Sequence, residues 1–311
     1  MTYKVYLNSA KEDWIVDRYV KEWKGGNKSK FSRSFKKADI IWIIAPWVWE
    51  KIPLKHLTQT KVFCTIHHID LQKFNSSQEQ KLIELSNYVD VFHTISKSNH
   101  KILSKIVPNK IVCNPFWVNS KIWYPINNKE LLRKKLNLDN QSFLVGSFQR
   151  DSEGENVNLP KLSKGPDQFL KCILDLKEKH SNLKVVLTGH RRQYIIKKLN
   201  ENNIPYFYFK KTSYKKLNQL YNCLDLYVVA SRVEGGPAAV FECALTKTPI
   251  VSTRVGIADS ILHQESIFEI NNFNSAVPNV DYAFEKVQNL DIPNGMNFYD
   301  ELFEDMIKNE N

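Results

Sequence analysis

The chain has 311 residues, 42% of them hydrophobic, with five cysteines and a formal net charge of +11. That length and apolar content suffice for one or two sizeable cores and exclude a disordered or disulfide-stapled peptide. No apolar run approaches the roughly 18 residues of a spanning helix, no leader-like segment opens the chain, and the cysteines show no Cys-x-x-Cys pair, so a two-domain protein of a reducing, cytoplasmic compartment is expected.

The charge is unevenly spread. Residues 1–120 hold 19 Lys/Arg against 10 Asp/Glu, whereas residues 121–311 hold 25 against 23. Lys21, Lys24, Lys28, Lys30, Lys36 and Lys37 cluster early, with Trp23 nearby. Two readings stay open: a solvated lysine-rich surface, or attraction to an anionic membrane, a polyprenyl diphosphate or a phosphorylated glycan. No nucleic-acid-binding motif accompanies the charge, so nucleic acid is not an expected partner.

In chain order, Lys4–Leu7 predicts a short strand, and Ser9 with Glu12 a capping box that opens a helix to about Lys24. Ile15, Val16, Tyr19, Val20 and Trp23 recur at helical spacing, and Gly25-Gly26 ends the run. Asp39–Ala45, Lys61–Ile66, Val89–Ile95 and Lys110–Cys113 read as buried strands, with helices at Gln78–Asn87 and Ser98–Ile106. The segment from Asn114 to Leu138 changes character and ends in a charged helix. A second alternating set follows, with strands Phe143–Phe148, Lys184–Thr188, Tyr206–Phe209 and Leu226–Ala230. Helices are expected near Asp167–Lys179, Gln193–Asn200, Ser213–Asn222 and, last, Phe298–Lys308. Such β/α alternation argues for parallel sheets covered on both faces.

The most informative stretch is Glu234-Gly-Gly-Pro-Ala-Ala-Val-Phe-Glu242, after the apolar run Leu226–Ala230. It reads as strand, glycine loop and helix. Gly235-Gly236 can take backbone angles closed to other residues, and Pro237 suits the first helical position. The free N–H groups and positive dipole end of that helix would face an anion in the loop. One carboxylate stands before that anion position and another about a turn into the helix, a cradle for a diphosphate joining two hydroxyl-rich groups.

This Glu-x7-Glu element, followed by Thr248-Pro249-Ile250-Val251-Ser252 and Val255-Gly256-Ile257, resembles the signature of GT-B-fold retaining glycosyltransferases of the GT4 type. The resemblance spans most of residues 60–262; the first 60 residues match weakly and look abbreviated. It implies an α/β GT-B fold: two Rossmann-like doubly wound domains facing a cleft, at 1–118 and 141–295, joined by a linker at 119–140. The helix in 296–311 would cross back to the first domain. The passage Asn114-Pro115-Phe116-Trp117 departs from the family, which has a glycine there.

What the resemblance implies for the site goes residue by residue. Lys164, in Lys164-Gly165-Pro166-Asp167, and Arg150 would bind the donor diphosphate, with backbone N–H groups of Gly235 and Gly236. Arg150 lies further along than the family's arginine, and an insertion rich in Gly, Asn and Glu separates it from Lys164. Glu234 would meet the sugar and Glu242 the ribose. Gly189, Tyr214 and Leu217 would line the nucleotide, and Arg191-Arg192 beside Gly189 are either phosphate contacts or solvated. His67 and His68, in Thr65-Ile66-His67-His68-Ile69-Asp70, end a strand where α/β proteins present ligand groups, and one of the two would act in catalysis. His-His-x-Asp lacks remote partners for a metal, and the family needs no metal or other cofactor. Trp42 suits a core, while Trp47 and Trp49 could stack on an acceptor sugar or enter a lipid interface.

The expected function is transfer of a sugar, with retention, from a UDP- or GDP-linked donor to a glycan or polyprenyl-diphosphate-linked acceptor in cell-surface polysaccharide assembly, at or near the inner membrane face. A GT-B sugar-nucleotide epimerase and a non-catalytic basic module with a degenerate cleft are the alternatives. Donor base, sugar, linkage and oligomeric state are not legible.

Overall fold

The computed structural model describes residues 3–12, 15–153, 156 and 158–308. The chain divides into two compact units, Met1–Trp117 with Leu290–Asn311, and Val118–Asn289.

The first unit has five parallel strands in the order β1 (Val5–Leu7), β2 (Ile40–Ile43), β3 (Lys61–Ile66), β4 (Val91–Thr94) and β5 (Lys110–Cys113). Alternate side chains divide between two cores. Ile40, Trp42 and Phe63 pack on one face, against α1 (Ile15–Gly26) and the C-terminal helix Asn297–Lys308. Ile41, Val62 and Cys64 pack on the other, against a 3-10 turn at Pro46–Lys51, α2 (Leu54–Leu57), α3 (Ser76–Ser86) and α4 (Lys97–Leu103). The double winding rests on one residue. Phe31 forms an isolated parallel bridge to Val5, whose N–H and C=O are taken by Lys30 O (2.7 Å) and Ser32 N (2.8 Å). The chain therefore passes one side of β1 at Phe31 and then pairs β2 on the other side. At that reversal the buried Asn8 side chain bonds both the N–H and the C=O of Ala45 (2.8 and 2.9 Å).

Ser9 and Glu12 do not form the expected capping box. The described part of α1 begins at Ile15, Asp13 and Trp14 lie outside the described residues, and Asp17 accepts both the Ser9 hydroxyl and the Glu12 N–H. Where the resemblance calls for a glycine, this chain buries two rings. Phe116 stacks on Tyr19 at 4.1 Å, and the Trp117 indole donates to Glu22 at 2.9 Å. Trp23 and Trp49 are also buried, so Trp23 is not part of a basic surface and Trp49 cannot stack on a sugar, whereas Trp47 is 44% exposed.

The second unit opens with α5 (Lys129–Lys135) and then alternates β6 (Leu144–Ser147), α6 (Pro166–Lys179), β7 (Lys184–Thr188), α7 (Gln193–Glu201), β8 (Tyr206–Phe209) and α8 (Tyr214–Cys223). It continues through β9 (Leu226–Val229), α9 (Ala238–Thr246), β10 (Ile250–Thr253), α10 (Ala258–Ile261), β11 (Ile267–Phe268) and α11 (Val280–Gln288). The C-terminal helix of the first unit is α12. The strand order β11-β10-β9-β6-β7-β8, all parallel, reverses between β6 and β9. Residues 119–140, expected as a linker, pack within this unit. Asn218 and Asn222 of α8 take the N–H groups of Tyr124 and Ile126 (3.1 and 2.7 Å), and buried Arg133 bonds Cys223 O and Asp225.

Candidate active site

β6 and β9 are neighbours whose chains depart in opposite directions, which opens a crevice at their C-terminal ends. Three loops meet there: the continuation of β6, the turn before α6, and the glycine loop between β9 and α9. Lys164 from the second is ion-paired with Glu234 from the third. The Ser231 hydroxyl also donates to Glu234 Oε1 (3.2 Å), and the Gln149 amide, from the first loop, holds the Lys164 carbonyl (2.8 Å). The Glu234 side chain is 11% exposed and that of Lys164 26%, so the pair is partly buried.

The two loops are stitched together by backbone bonds. Ser163 O accepts the N–H groups of Arg232 (2.8 Å) and Val233 (3.0 Å). The Arg232 guanidinium bonds Leu162 O (3.0 Å) and both oxygens of Asp167 (2.7 and 2.6 Å). Burial pushes the Asp167 carboxyl up, but the bonds from Arg232 outweigh it and hold the group below its ordinary value.

Two glycines fix this geometry. Gly165 has φ +61°, and a Cβ there would lie 1.8 Å from Ala230 O. Gly256 has φ +53°, and its Cβ would lie 2.3 Å from Gly235 O and 2.8 Å from Glu234 O. The described glycines with positive φ include Gly165, Gly189 and Gly256. Pro237 is the N-cap of α9 and not its first residue.

Glu242 is buried in α9 and accepts the Tyr221 hydroxyl (2.7 Å). Burial and that carboxylate raise the Tyr221 phenol well above its ordinary range. Tyr221 packs on Phe148 (4.8 Å), whose N–H donates to Tyr227 Oη (2.9 Å), so Glu242 is tied to the loop after β6. Arg150 is exposed and has no ion pair among the described residues. Tyr214 is exposed, edge-on to Trp123 at 6.0 Å, with half-buried Leu217 one turn further along α8. The Gly189 carbonyl accepts Tyr208 Oη–H (2.9 Å).

Arg192 is neither a phosphate contact nor solvated. It is buried against Asp151, with Nε 3.1 Å from Oδ2. Of the insertion, Ser152 and Pro160 form an antiparallel bridge, while Gly154, Glu155 and Val157 lie outside the described residues.

In the first unit, His67 is half-buried at the end of β3, and its Nε2–H donates to Ile44 O (2.8 Å). Burial pushes its pKa down to about 4, with the Ile44 carbonyl opposing and His68 adding to the fall. His68 is exposed. His93, not singled out from sequence, is fully buried and links Thr65 (3.1 Å) to Asn114 O (2.8 Å). Among the described residues no three His, Cys, Asp or Glu side chains gather as a metal site.

The structure thus brings together Lys164 and Glu234, both singled out from the sequence, with Gln149, Ser231 and the Asp167–Arg232 pair, and sets Tyr221 against Glu242. The sequence reading did not name Gln149, Ser231, Asp167, Arg232 or Tyr221 as site residues. Asp167 lay in the Lys-Gly-Pro-Asp run and Ser231 directly after the β9 run; the others carry no local signal.

The sequence model of one family, glycosyl transferases group 1, matches residues 128–290, just over half of the chain. No curated protein matches. Among solved structures, sucrose-phosphate synthase from Thermosynechococcus elongatus is similar at TM-score 0.70 and 15% identity, over 95% of this chain and 79% of that one. Anabaena Alr3699/HepE, solved with UDP and glucose, is similar at TM-score 0.72 and 12% identity, over 97% and 99%. A Rickettsia africae glycosyltransferase follows at TM-score 0.65 and 17% identity, over 97% and 84%. These likenesses give a GT-B fold.

Proposed function

This chain belongs to the glycosyl transferases group 1 family, and we infer that it transfers a sugar, with retention of anomeric configuration, from a nucleoside-diphosphate sugar to a glycan or lipid-linked acceptor. The single observation that carries this reading is the Lys164–Glu234 pair in the crevice between β6 and β9, inside the family-matched region. The donor diphosphate draws Lys164 away from Glu234, and the freed carboxylate accepts hydroxyls of the sugar. Arg150 and the N-terminal end of α9 add positive charge as the diphosphate leaves, so cations act most where negative charge grows. Backbone N–H groups of Gly235 and Gly236 serve the same anion. Glu242 accepts ribose hydroxyls, and Tyr214 and Leu217 flank the base. One of His67 and His68 contributes to turnover, and His67→Ala and His68→Ala, made singly, tell which.

UDP-glucose in the Anabaena neighbour supports a uridine donor, with a GDP-linked donor as the rival. The reaction is proposed to be GT4-like and metal-independent, on the inner face of a membrane and in polysaccharide assembly. The deciding experiment is donor hydrolysis across a panel of sugar nucleotides, read as released nucleoside diphosphate, with and without EDTA. Release from one donor class, unchanged by EDTA, is expected. Release from none removes the reading, and activity restored only by Mn²⁺ or Mg²⁺ removes its metal-independent form.

A further inference from the structure

Asp151 and Arg192 are sealed from solvent, their side chains 3% and 1% exposed. The N–H groups of Tyr194 and Ile195, in the first turn of α7, face the carboxylate, and Arg192 Nη2 reaches Ser147 Oγ at the end of β6 (3.4 Å). The Asp151 peptide ties two more segments. Its N–H donates to Arg191 O (3.0 Å), and its carbonyl accepts Lys161 N–H (2.7 Å). Lys161 opens the turn closed by Lys164 N to Lys161 O (2.8 Å) and Gly165 N to Leu162 O (3.0 Å). The two residues together therefore join the end of β6, the start of α7 and the turn that carries Lys164.

The pair is a poor source of stability. Taking two charges out of water is costly, and Arg192 Nε, Arg192 Nη1 and both Asp151 oxygens lack well-aligned hydrogen bonds. Neither charge can leave, however, without stranding the other in a dry site.

We propose that Asp151 and Arg192 are positioning residues that set the 161–165 turn, and through it hold Lys164 opposite Glu234. The functional half of this rests on the donor-site reading above.

The test uses the full chain with Asp151→Asn and Arg192→Met together, which removes both charges and puts an unbranched apolar side chain of similar volume in place of Arg192. The double variant is expected to fold with a Tm at or above wild type, because desolvation of the pair is relieved. Amides of Lys161, Lys164 and Gly165 should exchange faster by about tenfold, and the nucleotide that wild type binds (UDP, GDP or ADP) should bind about tenfold more weakly, as expected for a misplaced contact. Wild-type protection and affinity in a folded double variant overturn the proposal. A wild-type measurement decides if the variant does not fold. In low urea the amides of Lys161, Lys164, Tyr194 and Ile195 should open as one unit, and separate opening of Lys164 would overturn the latch. Should wild type bind none of the three nucleotides, the glycosyl-transfer reading falls while the exchange experiments still judge the latch.

Discussion

At the scale of single residues, Lys164 and Glu234 form a partly buried ion pair in which each supplies the other's counter-charge. Under the proposed function a donor phosphate would replace Glu234 as the partner of Lys164. Lys164→Ala should therefore weaken nucleoside diphosphate binding by about tenfold or more, the worth of a charge-assisted bond, and leave nucleoside binding unchanged. Equal weakening of both ligands in calorimetry would remove Lys164 from the phosphate. Glu234→Ala should bind nucleotide yet lose about a hundredfold in kcat, roughly 3 kcal/mol; near wild-type turnover would take Glu234 out of the reaction. Asp151 yields a pH prediction. Burial raises its pKa to about 6 against Arg192 and the α7 amides, which lower it. The unfolded value is about 3.9, so the native state gains nothing from ionisation here and loses stability as pH rises through about 6. The facing groups Arg192, Tyr194, Tyr208 and Tyr227 do not titrate in that window. Between pH 4 and 7 wild type should lose up to about 3 kcal/mol relative to Asp151→Asn in urea melts, and parallel pH profiles would count against it.

At the scale of elements, the loops are held by backbone contacts that only glycine permits. Gly256 meets the carbonyls of Glu234 and Gly235, whereas Gly25, near the end of α1, meets nothing within 4 Å. Gly256→Ala should cost about 1–3 kcal/mol and lower turnover by shifting the Glu234 loop. Gly25→Ala should be neutral or stabilise by about 0.5–1 kcal/mol, since it only reduces unfolded-state freedom. Thermal melts of the two variants that moved together would refute the distinction. Strands β3, β5, β7 and β8 were legible to the residue because each is a short apolar or aromatic run between turn signals. The bridge at Phe31, the two-residue β11 and helix α11 were not read from the sequence; the bridge and β11 have too few residues for a period.

At the scale of the whole molecule, the charge excess lies in residues 1–120, and no hydrogen-bonding motif accounts for it. Lys30 is excluded from any docking surface: it pairs with Asp300 at 2.9 Å and lies over Tyr3. Lys21, Lys24, Lys28, Lys36 and Lys37 are exposed. If they meet an anionic membrane, each is worth about 1 kcal/mol there, so several together give measurable, salt-sensitive vesicle binding. Changing Lys21, Lys28 and Lys36 to Glu should release the protein from anionic vesicles and leave donor hydrolysis intact. Equal binding of wild type to neutral and anionic vesicles would make the excess a solvated surface. None of the described helices is long and apolar enough to span a membrane.

The sequence by itself determined the β/α alternation and the family, and it singled out Lys164 and Glu234, which the fold pairs, because periodicity and short motifs are local. It also carried expectations that the structure reversed: the Ser9–Glu12 cap, Pro237 as the first helical residue, a stacking role for Trp49, and Arg192 as a phosphate contact or a solvated side chain. Only the tertiary structure decided that Asp17 takes the capping donors, that Gly165 and Gly256 hold the strained angles, and that Asp151 meets Arg192. Asp17 lies within eight residues of its donors and wins them by local geometry. The glycine contacts and the Asp151–Arg192 pair instead depend on atoms brought together by strand order, and a carboxylate's partner across a fold leaves no mark in its neighbours along the chain.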